Sequence, residues 1–102
     1  MSQYTPTPVP RNIGPAYQTT VAIGSSSTNV AVLYAYNVYA LFQNIGANDV
    51  WIAFSNGNGV VNGSFLLKAN GGSIELSDYI PTGSVGAVCA SGQTSSVQVF
   101  TA

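Results

Sequence analysis

The sequence predicts an all-β protein: a single antiparallel β-sandwich, or jelly-roll-like domain, of about eight strands with an extended Pro-rich N-terminal arm. Short segments alternate apolar and polar residues, which is the period of a strand with one face in a core. Turns rich in Gly and Asn separate these segments at regular spacing. At 102 residues the chain has room for one domain with a core of moderate size.

Residues 1–19 are predicted to form the arm, and residues 20–102 the β-sandwich. The run TPTPVP places proline at every second position, which blocks helix and central strand and favours a polyproline-like conformation. The arm is either an unattached terminus or a stiff segment that lies along a neighbouring subunit and loses little entropy on docking. Its candidate interface residues are two tyrosines and three prolines: Tyr4, Pro6, Pro8, Pro10 and Tyr17.

The first two strands are predicted at residues 20–23 (TVAI) and 29–34 (NVAVLY), separated by a Ser-rich turn. In the second strand, Val30, Val32 and Tyr34 are expected to share one face. A group of tyrosines follows, for which strand-edge packing is the main interpretation and a carbohydrate-stacking platform the alternative: Tyr34, Tyr36 and Tyr39.

The most strongly patterned part of the chain is residues 42–54, FQNIGANDVWIAF. Phe42 shares one face of the first predicted strand with Ala40 and Asn44, and Val50, Ile52 and Phe54 share one face of the second. The turn at residues 45–48 offers Gly and Asn for positive φ between two apolar runs, so the two strands are predicted to pair as a hairpin.

The second half of the chain continues the pattern after a loop at residues 55–63 (SNGNGVVNG). Asn70-Gly71-Gly72 is a tight-turn signal between two of the later strands. The predicted strands cover residues 64–69, 73–78, 84–90 and 96–101.

Charged residues make up 5% of the chain, against about 25% in an average soluble domain. The two basic residues, Arg11 and Lys68, cannot neutralise the several phosphates on which nucleic-acid affinity depends. The apolar runs are far shorter than the ~20 residues needed to span a bilayer, and a secretion signal is not visible, so a soluble product without a membrane partner is expected. Because few charges repel one copy of the chain from another, we expect the protein to function as an assembly.

The chain contains no histidine, and its carboxylates are scattered along it. The commonest general base and metal ligand is therefore missing, and we expect neither enzymatic activity nor a metal or cofactor. The single cysteine, Cys89, lies between Val88 and Ala90 and is predicted to be a small core side chain rather than a reactive thiol.

Two aromatic residues of the predicted strands complete the candidate interface. If Val50 and Ile52 face the core, Trp51 points outward as an interface anchor; the alternative is a strand buried on both faces. Phe100 alternates with the apolar positions Val97 and Val99 and is assigned to the same class.

Residues 39–101 resemble small β-sandwich proteins found among tailed-phage structural genes. The resemblance consists of hydrophobic and turn positions in a fixed order: Phe42-Gln43-Asn44-Ile45-Gly46, Val50-Trp51-Ile52, Leu67 with Gly71 or Gly72 and Leu76, Gly86-Ala87-Val88, and Val97-Gln98-Val99. The family's corresponding stretch is often more charged, and the arm lies outside the matched region.

The resemblance implies a jelly-roll-like head decoration (cement) or head-fibre protein, usually a homotrimer. Such a protein sits on the outer capsid surface of the virion, binds the major capsid protein and clamps neighbouring capsomers. The alternative is a glycan- or receptor-binding tip of a tail or head fibre, which would use Trp51, the tyrosines and the loop at residues 55–63.

Overall fold

The computed structural model describes residues 16–102, which form two four-stranded antiparallel sheets and no helix. The predicted all-β sandwich of about eight strands is confirmed. The strands are β1 (Tyr17–Ile23), β2 (Thr28–Leu33), β3 (Ala40–Asn44), β4 (Val50–Ala53), β5 (Phe65–Leu67), β6 (Ser73–Leu76), β7 (Gly83–Cys89) and β8 (Ser95–Thr101).

The strand order is that of a jelly roll. One sheet, called here sheet A, runs β1-β8-β3-β6, and the other, sheet B, runs β2-β7-β4-β5. Every connection crosses from one sheet to the other except the one between β4 and β5, so the chain winds around the core as nested Greek keys. Within residues 16–102 no helix is long and apolar enough to cross a membrane.

The predicted hairpin at residues 42–54 is wrong. Strand β3 pairs with β6 and β8 in sheet A, whereas β4 pairs with β5 and β7 in sheet B. The turn at residues 45–48 therefore bridges the two sheets, and Asn70-Gly71-Gly72 does the same between β5 and β6. Turn chemistry specifies that the chain reverses, but it does not specify which strand receives the hydrogen bonds.

The alternation predicted for β3, β4 and β8 is confirmed, and the faces that carry Phe42, Val50 and Val97 are the inward ones. Phe42, Val50, Ile52, Val97 and Val99 have no exposed surface and pack together between the sheets. The core prediction for the single cysteine is confirmed as well: its Sγ lies 3.8 Å from the carbonyl oxygen of Ile23, and burial raises the pKa of the Cys89 thiol.

A fully buried amide, that of Asn44, holds the crossover turn after β3. Its Nδ2 donates to the carbonyl oxygens of Asn48 at 2.7 Å and Leu67 at 3.0 Å. Its Oδ1 accepts from the backbone N of Gly46 at 3.0 Å and from Ser95 Oγ at 2.7 Å. All four hydrogen-bonding sites of the amide are used, and a Cβ on Gly46 would collide with Ser95 Oγ.

Strand β2 departs from simple alternation. Its register against β7 shifts between Asn29 and Ala31, so one extra residue is accommodated. Val30 and Leu33 are consequently buried, while Val32 and Tyr34 are exposed. The expectation that Val30 shares a face with Val32 and Tyr34 is wrong, because a bulge inverts the side-chain pattern downstream of it.

Strand β1 begins at Tyr17, three residues before the predicted boundary at Thr20. Tyr17 pairs with Thr101, so the ladder with β8 extends to the last residue of that strand. Most of residues 17–20 are exposed, so apolar and polar residues do not alternate clearly there, and the pattern did not predict a strand over residues 17–19. The other arm residues singled out from the sequence lie outside the described residues: Tyr4, Pro6, Pro8 and Pro10.

Candidate functional site

The three candidate interface residues that the structure describes lie on three different surfaces. Tyr17 is exposed at the β1 edge. Trp51 lies on the outer face of sheet B, and Phe100 lies on the outer face of sheet A, with its ring 5.9 Å from that of Tyr39. The structure therefore does not bring them together into one site.

Trp51 points away from the core as expected, because Val50 and Ile52 are buried beneath it. It is only half-exposed, however, and the loop at residues 55–63 packs against the same face of the sheet. A Cβ built on Gly59 would lie 2.8 Å from the Trp51 carbonyl oxygen and 2.9 Å from the backbone nitrogen of Val88. This loop thus covers part of the surface on which Trp51 was expected to act.

One open side of the sandwich, between the edge strands β1 and β2, carries a pocket of about 470 Å³ that we call the tyrosine pocket. The rings of Tyr34 and Tyr36 stack there with centroids 5.3 Å apart. The amide of Asn37 is used internally, since it accepts from the Tyr34 backbone N and donates to the Ala102 carbonyl. The residues whose side chains define the pocket are Tyr17, Asn29, Val32, Tyr34 and Tyr36.

The opposite open side, between the edge strands β5 and β6, carries a groove of about 460 Å³ that we call the aromatic groove. The wall contains two polar side-chain groups, the hydroxyls of Ser55 and Tyr79. Phe65 is 63% exposed and Tyr79 is 76% exposed, which is unusual for such large side chains. The apolar wall consists of Phe54, Phe65, Ile74, Leu76, Tyr79 and Pro81.

The aromatic groove is the open side of the hydrophobic core. Phe65 pairs with the buried Ile52, and Ile74 pairs with the buried Phe42, so both residues occupy inward-facing positions. A chain of rings runs from the core to the surface: Phe42 and Phe54 have centroids 5.8 Å apart, and Phe54 and Phe65 5.9 Å. The two sheets are not closed over these residues, and the core reaches solvent there.

The aromatic groove was not predicted from the sequence, because the residues that line it come from four separate segments of the chain. Two local signals point to it. Strand β5 is only three residues long, yet all three are large and apolar, including Phe65. The turn after β6 places Tyr79, Ile80 and Pro81 in succession, although turns are ordinarily polar.

Few charges act on the described surface. Lys68 Nζ lies 3.5 Å from Asp49 Oδ2, and Asp49 Oδ1 accepts a hydrogen bond from the backbone N of Ala69 at 2.8 Å. That backbone hydrogen bond, helped by the Lys68 charge, holds the pKa of Asp49 below its usual value. Tyr39 Oη donates to Glu75 Oε2 at 2.6 Å, and this hydrogen bond raises the pKa of Tyr39.

The lowered pKa of Asp49 predicts a pH dependence of stability. A carboxyl whose folded pKa lies below its unfolded value of about 4 stabilises the fold above that value, and loses the contribution as the pH falls through the folded pKa. Asp49→Asn should therefore lower the urea midpoint more at pH 7 than at pH 3. Asp78→Asn, which also removes one negative charge, is the control; an equal pH dependence in both variants would contradict the prediction.

Within residues 16–102, no three histidine, cysteine or carboxylate side chains are grouped so as to hold a metal ion. The buried side-chain nitrogen and oxygen atoms of these residues all have hydrogen-bond partners. The arrangement is suited to binding through apolar and amide surfaces. Comparison of the chain with protein-family models, with curated proteins and with solved structures gives no match.

Proposed function

We propose that this protein is a non-enzymatic virion structural protein, a capsid decoration (cement) protein that binds the outer surface of a phage head. One observation carries the proposal: both open sides of the jelly roll are apolar and aromatic, on a surface with four charged side chains among residues 16–102. Exposed apolar surface of this kind marks protein interfaces. The jelly roll is also an architecture that viral capsid proteins use, which supports the assignment by analogy of fold.

The mechanism is stabilisation by added interface. A homotrimer that spans a junction between capsomers binds the assembled shell and not the separated subunits, so it shifts the equilibrium toward the intact particle. Each contact needs roughly 1,000 Å² or more of buried surface to be specific. The lateral apolar sides supply the contacts between copies, and the ends of the sandwich are left to meet the major capsid protein.

The copy number of this chain in purified particles tests the proposal. Quantitative mass spectrometry against the major capsid protein should find it in a simple ratio to that protein, because a cement protein occupies the whole head lattice. Deleting the gene should leave particles that break at lower temperature or on weaker osmotic shock. A few copies per particle, or none, would overturn the assignment to the head surface.

A glycan- or receptor-binding fibre tip is the second candidate, and the tyrosine pocket favours it. Stacked rings at a pocket edge offer a flat apolar platform of the kind on which sugar rings pack, and lectins also use jelly rolls. The polar groups needed for sugar specificity are few there, since the Asn37 amide is already engaged. Tyr34→Ala and Tyr36→Ala should abolish host attachment while leaving particles intact if this candidate is right; a cement protein would keep attachment.

A further inference from the structure

We propose that the aromatic groove of each copy binds the proline-rich arm, residues 1–15, of a neighbouring copy. The inference rests on the proposed function in one respect, that the protein works as an assembly of its own copies.

The chemistry of the groove matches a proline-rich ligand. Polyproline-like segments bind in grooves lined with aromatic side chains, because they are already extended and lose little entropy on docking. The rings of Phe54, Phe65 and Tyr79 supply such a lining, and the remaining wall is almost entirely apolar. The run TPTPVP of residues 5–10 supplies three prolines and a valine.

The charges of the two surfaces are complementary. Residues 16–102 contain one basic and three acidic side chains, a formal charge of 1 − 3 = −2, and the one lysine is paired with Asp49. Of the acidic side chains without a lysine partner, Asp78 directly precedes the groove residue Tyr79, whereas Glu75 lies on the outer face of sheet A and accepts a hydrogen bond from Tyr39. Arg11 is the only charged side chain of the arm and directly follows the proline run.

The register of sheet A places the point where the arm joins β1 in the same row as a residue of the aromatic groove. Tyr17 pairs with Thr101, Thr101 with Ala40, and Ala40 with the groove residue Leu76. These four residues form one row, which spans three strand spacings or about 14 Å from the β1 edge to the β6 edge. A neighbour set beside the β1 edge in the same orientation presents its groove at the height where the arm leaves.

The length of the arm suits a neighbour. Fifteen residues in polyproline conformation reach about 46 Å, ample to cross from one sandwich to the next. Proline-rich segments resist bending, so continuing outward requires less distortion than wrapping around β8 and β3 to the far side of the same molecule. Repetition of this contact is head-to-tail, and it closes into a ring such as a trimer.

Chemical cross-linking of the full-length chain tests the proposal. A variant with both Val9→Cys and Ser55→Cys, which places a thiol in the groove wall and leaves its aromatic rings intact, is treated with a short bis-maleimide, and the products are separated on a denaturing gel. Cys89 is buried and its thiol pKa is raised, so it contributes little. A docked arm holds its thiol at millimolar effective concentration, so covalent dimers and trimers should exceed the control about tenfold or more.

The matched control combines Val9→Cys with Ser91→Cys. Ser91 is exposed in the turn before β8, at the end of the sandwich opposite to the row of Tyr17 and Thr101. A cross-linked product of monomer mass would place the arm in the groove of its own chain and overturn the proposal. Equal yields from the two variants would also overturn it.

Light scattering on groove variants supplies an independent measurement. Phe65→Ser and Tyr79→Ser alter exposed side chains, so the fold is retained, and each variant should be a monomer in solution. The control is Val60→Ser, at another exposed position, which should remain an oligomer at the same concentration. An unchanged mass would overturn the proposal. If the arm cross-links between copies but the chain is absent from particles, the decoration function is wrong and the arm contact stands. If the chain is present in a simple ratio to the capsid protein but the groove variants keep their mass, the arm contact is wrong and the decoration function stands.

Discussion

Asn44→Asp is expected to destabilise the fold by about 3–5 kcal/mol at pH 7, although it replaces one atom group with another of nearly the same shape. Asn44 is fully buried, and its Nδ2 donates to the carbonyl oxygens of Asn48 and Leu67. A carboxylate at this position would face two carbonyl oxygens without a donor between them. It would also be a buried charge without a counterion.

The pH dependence of this effect has a definite sign. Burial and the two carbonyl oxygens would raise the folded-state pKa of the introduced carboxyl above its ordinary value of about 4. The loss of stability is therefore smallest at low pH, where the carboxyl is protonated and can donate one hydrogen bond. It grows as the pH rises through the unfolded pKa and reaches its full value above the folded pKa.

Urea denaturation at pH 4 and pH 7 measures the effect, with Gln43→Glu as the control. Gln43 is the neighbouring residue on the opposite face, and its Nε2 also donates to a backbone carbonyl, that of Gly71, at 3.3 Å. The control makes the same amide-to-acid change at a position that water reaches, so its free energy of unfolding should change little. Equal losses in the two variants would show that the buried amide of Asn44 is not what holds the crossover turn.

Phe42→Ala is expected to cost about 3–5 kcal/mol, a large fraction of the 5–15 kcal/mol by which ordinary domains are stable. Phe42 is the largest of the fully buried side chains and lies between the two sheets, with its ring edge-on to Phe54. Its removal deletes a buried ring and leaves a cavity that the fixed backbones of two sheets cannot fill.

Phe65→Ala is the matched control, because it makes the same truncation on the same chain of rings. Phe65 is mostly exposed at the open side of the sandwich, so the free energy of unfolding of a monomer should change by less than about 1 kcal/mol. Chemical denaturation of both variants checks the difference. A loss at Phe65 as large as that at Phe42 would mean that the aromatic groove is part of the folded core and not a surface held open for a partner.

The alternation of apolar and polar residues within each segment predicted much of this fold. It separated Val50 and Ile52 from Trp51 on opposite faces of one strand and put Glu75 on the polar face of another, because the period of a strand depends only on its own residues. It could not show that β3 and β4 belong to different sheets, since pairing is decided by distant strands. It also failed after Asn29, where the bulge inverts the pattern of β2.

The aromatic groove could not be predicted for the same physical reason. Phe54, Phe65, Leu76 and Tyr79 are separated along the chain and meet only because β5 and β6 end their two sheets on the same side. Trp51 was predicted as an interface anchor because Val50 and Ile52 take the opposite face of its strand, but the loop that covers part of its face cannot be placed from sequence. Resemblance supplied the expected function, and that expectation stays a proposal.

The strand order also determines when the protein can fold. Of the eight strands described, β7 and β8 are synthesised last, and each is one of the two central strands of its sheet: β7 lies between β2 and β4, and β8 between β1 and β3. Until they are made, the earlier strands lack the partners that complete either sheet, and their apolar faces remain open to aggregation. Folding of these eight strands is therefore expected to begin only once both are made, and to be cooperative and slow, as is typical of proteins whose pairings are almost all distant in sequence.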